Sequence, residues 1–128
     1  IRELSARVVT AEHVAQLDRE LIERANQSRT EAPFLIDSHP VTKEDYGFRV
    51  TAFSIDMLRA LNPDVVLCLY TAPSVVMERI TRDAMGRPAV TEFEALMHNQ
   101  LQTGVAAQYG VLTGKAVYFL DSTVAPEP

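Results

Sequence analysis

An α/β domain built on a parallel sheet is the fold this chain predicts, and three observations predict it. Short apolar runs, within APFLID, VVLCLY and AVYFLD, are separated by longer segments whose apolar residues recur every three or four positions. The runs are apolar on both faces, as strands covered by helices on either side must be. Helical and strand-like segments take turns in the order α, β, α, β, α, α, β, which suits a layered fold with crossover helices. Residues 1–121 read as a single domain. Residues 122–128, STVAPEP, carry two prolines and no apolar pattern, and read as a flexible tail.

The first helix spans Thr10 to Ser28, with Val14, Leu17, Leu21 and Ala25 on one stripe and Thr10 as its N-cap. A polar break through Pro33 follows. APFLID is then a strand buried on both faces, stopped by Asp37-Ser38-His39-Pro40. Residues 40–49 are polar and carry Gly47, so they read as a loop. Val50 to Leu61 is a helix by the spacing of Phe53, Met57, Leu58 and Leu61, and Asn62-Pro63-Asp64 ends it. Val65 to Tyr70 is the second strand. Thr71-Ala72-Pro73-Ser74 turns the chain into a helix, with Pro73 suited to its first turn, running from Val75 to Met85. Gly86-Arg87-Pro88 breaks it. Thr91 and Glu94 form a capping-box pattern opening a long helix, marked by Phe93, Leu96, Met97, Leu101 and Val105, up to about Gly110. Ala116 to Asp121 is the third strand.

Bulk composition excludes some functions. A formal charge of −5 and a pI near 5.1 leave no basic footprint for nucleic acid or an anionic membrane surface. Cys68 is the only cysteine, so there is no internal disulfide and no cysteine-based zinc cage. No apolar run approaches the roughly 18 residues of a membrane span, and no signal peptide is visible, so the expected location is cytoplasmic. The chain opens on Ile1 and a charged stretch, IRELSAR, which predicts a natural protein that begins earlier.

In parallel α/β sheets ligands bind outside the carboxyl ends of the strands. Asp37 and His39 stand at such an end. Asp37 is suited to hold Mg²⁺ through water or orient a substrate, and His39 to bind phosphate or move a proton near neutral pH. The competing reading makes Asp37 a turn cap and His39 a surface residue. In MERITRDAMGRP (Met77 to Pro88), Arg79 and Arg82 share a helix face and Arg87 follows the break. Guanidiniums match phosphoryl oxygens in paired hydrogen bonds and stabilise spreading negative charge. The competing reading is a solvated face on which Asp83 pairs with Arg79. Tyr46, Phe48 and Arg49 either stack on a base or pack their loop down. His13 and His98 sit at helix positions without matching metal partners, and Cys68 reads as a small core residue. No nucleophile elbow, H-E-x-x-H or C-x-x-C occurs.

From Asp37 onward the chain resembles the archaeal-type adenylate kinases and related P-loop kinases. Asp37, His39, Lys43 and Gly47 match the D-x-H segment and the Lys and Gly after it. Asn62-Pro63-Asp64 and VVLCL match a strand entry, and Pro73, Glu78, Arg79, Arg82 and Asp83 match a turn with an E-R-x-x-R-D helix. Tyr109, Val111, Leu112, Thr113 and Gly114 match the Y-x-V-L-T-G end of a long helix. The likeness covers roughly Ala32 to Asp121. It implies a three-layer parallel sheet of P-loop NTPase type lacking its first strand. It also implies phosphoryl transfer from ATP, with Mg²⁺, to a nucleoside monophosphate such as AMP. In that scheme Asp37 is the acid near metal or acceptor. His39, Lys43, Gly47 and Arg49 lie near the acceptor, Arg79, Arg82 and Arg87 belong to the closing lid, and the last strand with Asp121 lies near the adenine.

Three departures stand out. No G-x-x-x-x-G-K-S/T occurs in the 128 residues, so the backbone cradle and lysine for phosphates are missing. The resemblance implies that this loop sits at the N-terminus, upstream of where this chain starts. A further lid arginine near Gly86 is absent, and Thr103 stands where the long helix usually carries arginine. These departures favour the alternative of an inactive nucleotide-binding or protein-interaction module with the same fold. A missing first strand also leaves a neighbour position in the sheet unprotected, which would make the chain marginal or self-associating as a homo-oligomer.

Overall fold

The computed structural model describes residues 10–83 and 89–124. Gly86 and Arg87, the opening IRELSAR and the last four residues of the tail lie outside them. Helix α1 is Ala11–Ser28, and the Thr10 hydroxyl caps it by accepting from His13 N at 3.2 Å. Its second half lays Leu21, Ile22 and Ala25 against Met57 and Leu61 of α2 (Ile55–Leu61), with Ile36 and Phe53 closing the cluster. Arg29 fastens the far ends together, donating to Leu61 O at 2.6 Å and to Asp64 at 3.3 Å. Helix α2 starts at Ile55 rather than Val50, because Ser54 supplies the cap by accepting from Met57 N. It stops where Asn62 turns left-handed at φ 45°.

Two expected elements change character. APFLID forms no strand: residues 33–40 are irregular, and Leu35 is 82% exposed. A strand needs a neighbour to take its N–H and C=O groups, and none lies beside it among the described residues. Ile36 packs against the cluster of Ala25, Met57 and Leu61. Residues 40–49, expected as a loop, instead make an antiparallel hairpin of β1 (Val41–Glu44) and β2 (Gly47–Val50), paired from Val41↔Val50 to Glu44↔Gly47. Asp45 and Tyr46 form its turn. Gly47 closes it at φ 143°, a conformation open to glycine and rarely to other residues.

Among the described residues the main sheet has two strands. β3 (Val66–Tyr70) and β4 (Val117–Asp121) run parallel, with Cys68 opposite Phe119. Between them come α3 (Pro73–Arg82), with Pro73 in its first turn, and α4 (Glu92–Thr113). Thr91 caps α4 by accepting from Glu94 N at 3.1 Å, and left-handed Gly114 ends it three residues later than expected. Val66 packs with Leu58, Val105 and Tyr109, so α2 and α4 cover one face of the sheet. The approach is tightest where Gly110 meets Val117: a Cβ on Gly110 would overlap Val117 Cγ2. Buried Tyr109 accepts from Phe53 N at 2.9 Å and joins the two halves of the core.

Among the described residues nothing covers the other face of the sheet. Leu67, Leu69, Tyr118 and Leu120 all stand exposed, Leu69 at 56%. The expected three-layer sheet with doubly buried strands is therefore corrected to a mixed α/β fold with small sheets and helices on one side. Strands can be covered twice only when elements exist to cover them, and here α2 and α4 supply a single layer. No helix among the described residues is long and apolar enough to cross a membrane.

Candidate functional site

The carboxyl ends of β3 and β4 lie side by side because the strands are parallel. Past the ladder the pairing continues through hydroxyls. Ser122 N and Ser122 Oγ both donate to Tyr70 O, at 2.8 and 3.1 Å. With its hydrogen so used, Ser122 Oγ accepts from Thr71 Oγ1 at 2.6 Å. Ala72 N donates to Thr123 Oγ1 at 3.0 Å. The Arg79 guanidinium of α3 returns to this corner and donates to Ser122 O and Thr123 O, at 2.9 and 3.3 Å. Ser122 and Thr123, which the sequence reading assigned to the tail, thus take part in the strand-end structure.

Helix α4 reaches the same corner from one side. Asn99 Nδ2 donates to Thr71 O at 2.7 Å, and Gln102 Nε2 to Leu69 O at 3.3 Å. In the register of Cys68 opposite Phe119 the odd-numbered residues of β3 turn their backbone groups away from β4, so these amides serve carbonyls on the sheet's outer edge. A groove of about 360 Å³ opens here, walled by Tyr70, Pro73 and Leu96. Asp121 stands at its rim. The Thr123 hydroxyl and backbone N–H hold the Asp121 carboxyl below the usual carboxylate value.

The hairpin docks on the first half of α4. His98 Nε2 lies 3.2 Å from Val41 O, and its ring meets the edge of Phe48. Lys43 Nζ bonds Glu94 at 3.1 Å and Glu44 O at 2.7 Å, and lies over the Phe48 ring. Its hydrogen bond is the largest cause holding the Glu94 carboxyl below its ordinary value. Arg49 pairs with Glu44 at 3.2 Å. One stretch of α4, Glu94 to Gln102, therefore serves both the hairpin and the strand ends.

The predicted site residues fall into separate groups. Asp37 and His39 pair with each other at 3.5 Å, with side chains 84% and 78% exposed. Lys43, Gly47 and Arg49 belong to the hairpin. Arg79 and Asp121 belong to the strand ends. Arg82 points into a second groove, of about 590 Å³, between α3 and the start of α4, with Glu78 at 3.9 Å. Arg87 lies outside the described residues. No hydrogen bond or ion pair among the described residues joins Asp37 or His39 to Arg79, Arg82 or Asp121. Of Tyr46, Phe48 and Arg49, Phe48 packs against His98 and Arg49 pairs with Glu44, while Tyr46 is 78% exposed. Cys68 is buried, as expected for a core residue, and burial raises its thiol pKa. Asn99, Gln102, Ser122 and Thr123 were not anticipated. The signal available was weak: two amides three apart on one helix, and two hydroxyl residues directly after a strand.

Among the described residues no three His, Cys, Asp or Glu side chains gather as a metal group. Asp37 alone gives a hydrated cation a single ligand. The groove at the strand ends has no lysine or arginine in its lining. These residues do not by themselves fit a metal–triphosphate.

Comparison with known proteins adds to this geometry. A sequence model of the family described as AAA domain matches residues 3–95. Three adenylate kinases are similar at low identity. That of Pyrococcus furiosus is 24% identical over 112 residues, covering 84% of this chain and 57% of the relative. That of Pyrococcus abyssi is 21% identical over 107 residues, covering 83% and 54%. That of Thermococcus kodakarensis is 22% identical over 108 residues, covering 84% and 55%. The resemblance drawn from the residues is borne out, and the chain spans about half the length of the curated relatives it matches.

Proposed function

Because the chain belongs to the AAA domain family, of P-loop NTPase type, we propose that it carries the acceptor and lid side of an ATP-dependent phosphotransferase acting on a nucleoside monophosphate such as AMP. The observation that supports this most is the shared use of α4. Its residues Glu94 to Gln102 hold both the hairpin, with Lys43 and Arg49, and the strand ends from which α3 carries Arg82. An acceptor phosphate near the hairpin and a donor near α3 would then meet over one rigid helix. Asp37 and His39, paired with each other and exposed, are the groups for an acceptor contact. Arg82, free of any backbone tether, is the lid cation suited to developing phosphoryl charge. In this reading ATP supplies the phosphoryl group; the G-x-x-x-x-G-K-S/T loop that would hold it does not occur in these 128 residues.

A second reading, an inactive nucleotide-binding or protein-interaction module, has its own support. Lys43 and Arg49 are already neutralised by Glu94 and Glu44, and Arg79 is spent on the carbonyls of Ser122 and Thr123. Turnover separates the two. In the natural polypeptide containing this chain, ATP with AMP should yield ADP, and Arg82→Ala should lower kcat about 10²-fold or more, the usual scale for losing one transition-state charge contact, with folding intact. Nucleotide binding without any ADP would favour the inactive module.

A further inference from the structure

Helix α3 has half-buried residues but no buried one, so apolar packing seats it loosely. Hydrogen bonds tie it to one short segment past β4, and they do so at two places. At its start, Ala72 N donates to Thr123 Oγ1 at 3.0 Å, and Thr71 Oγ1 meets Ser122 Oγ at 2.6 Å. Nearly two turns on, roughly 9 Å along the axis at a rise of about 1.5 Å per residue, Arg79 reaches back toward the helix N-terminus. Helical side chains lean in that direction. Its Nη2 donates to Ser122 O at 2.9 Å and to Thr123 O at 3.3 Å. Its polar neighbours stay on the helix: Thr81 donates to Met77 O, and Arg82 lies 3.9 Å from Glu78. A rod tied at one point pivots; tied at two, it keeps its direction. Arg82 stands about one turn beyond the second tie, so Arg79 fixes where the Arg82 guanidinium points.

We propose that Arg79 is a positioning residue for Arg82 and contacts no phosphoryl group itself. The resemblance assigns both arginines to the closing lid, and their bonding separates them. Arginine recognises phosphate through the fork of its nitrogens. In Arg79 a single nitrogen makes both contacts, and both acceptors are neutral carbonyls. A lysine ammonium, with three donors on one nitrogen, can do the same work. The inference rests on the phosphotransferase reading and deepens it: two arginines three residues apart have different tasks, one aiming the other.

The natural polypeptide containing this chain carries the test. With ATP and AMP, Arg79→Ala should lower kcat about tenfold and leave KM for both nucleotides within about twofold, the mark of a misaimed contact rather than a lost ligand. Arg79→Lys should turn over as wild type does. In the Arg82→Ala background, Arg79→Ala should change nothing further, because a residue that acts through another has no effect once that other is gone. Additive losses overturn the proposal. So does a lysine variant as slow as the alanine one, or a KM for ATP raised about tenfold, which is the result for a phosphate ligand. If Arg79→Ala does not fold, the lysine variant decides alone. If wild type forms no ADP, the phosphotransferase reading falls, and hydrogen exchange on the same proteins decides whether Arg79 holds α3. The amides of α3 should then lose protection in Arg79→Ala and keep it in Arg79→Lys. Equal protection in all three overturns the tether as well.

Discussion

Tyr109 shows how much one residue decides. Its ring sits in the core with Leu58 and Val105, while its hydroxyl accepts the Phe53 N–H just ahead of α2. Burial pushes its phenol pKa upward, because the anion would lose hydration. Tyr109→Phe keeps the packing and strands that N–H, so it should cost about 1–3 kcal/mol, read as a lower midpoint in urea at unchanged slope. At this scale the sequence named the right chemistry more often than the right company. Arg79 was legible as a cation on α3, but its use of two carbonyls 43 and 44 residues away depends on how α3 folds back against β4. Asn99 was not legible at all. An amide on a helix has no distinctive spacing, and only the carbonyl of Thr71 gives it a direction.

Among the elements, those that contain their own signals were legible. Thr10 and Thr91 cap the helices they were expected to cap, Pro73 opens α3, and VVLCLY and AVYFLD pair as strands. Those whose state depends on a neighbour were not. FLID has strand composition and no partner, and the hairpin was hidden because VTKE and FRV are too short and polar to announce themselves without the shelf that α4 provides. That shelf has a pH dependence. Glu94 joins the cap of α4 to Lys43 of β1, and its folded pKa lies below the ordinary value. A depressed carboxylate gives stability that is present above the unfolded pKa and is lost as pH falls through the folded one. Glu94→Gln should therefore be less stable than wild type near pH 7 and flatten the acid limb of stability against pH. Urea titrations from pH 7 down to pH 3 check this, and parallel curves for the two proteins would refute it.

At the scale of the whole molecule, among the described residues the sheet leaves Leu67, Leu69, Tyr118 and Leu120 exposed on one face, a contiguous apolar surface of the kind that drives association. Light scattering on the isolated 128-residue chain should show self-association at micromolar concentration, reduced by Leu69→Lys. A clean monomer would refute it. The layered α/β class was legible because periodicity reveals which segments want burial. The number of layers was not, because it is set by what arrives to cover them. The sheet also has a consequence in time. The contacts that close its carboxyl end join residues 51 apart. On a ribosome adding about 5–20 residues per second, β3 emerges roughly 3 to 10 s before its partner exists. For those seconds an uncharged apolar strand is exposed with nothing to pair with, and that interval, more than the finished fold, is where a chaperone or an aggregate would first meet this protein.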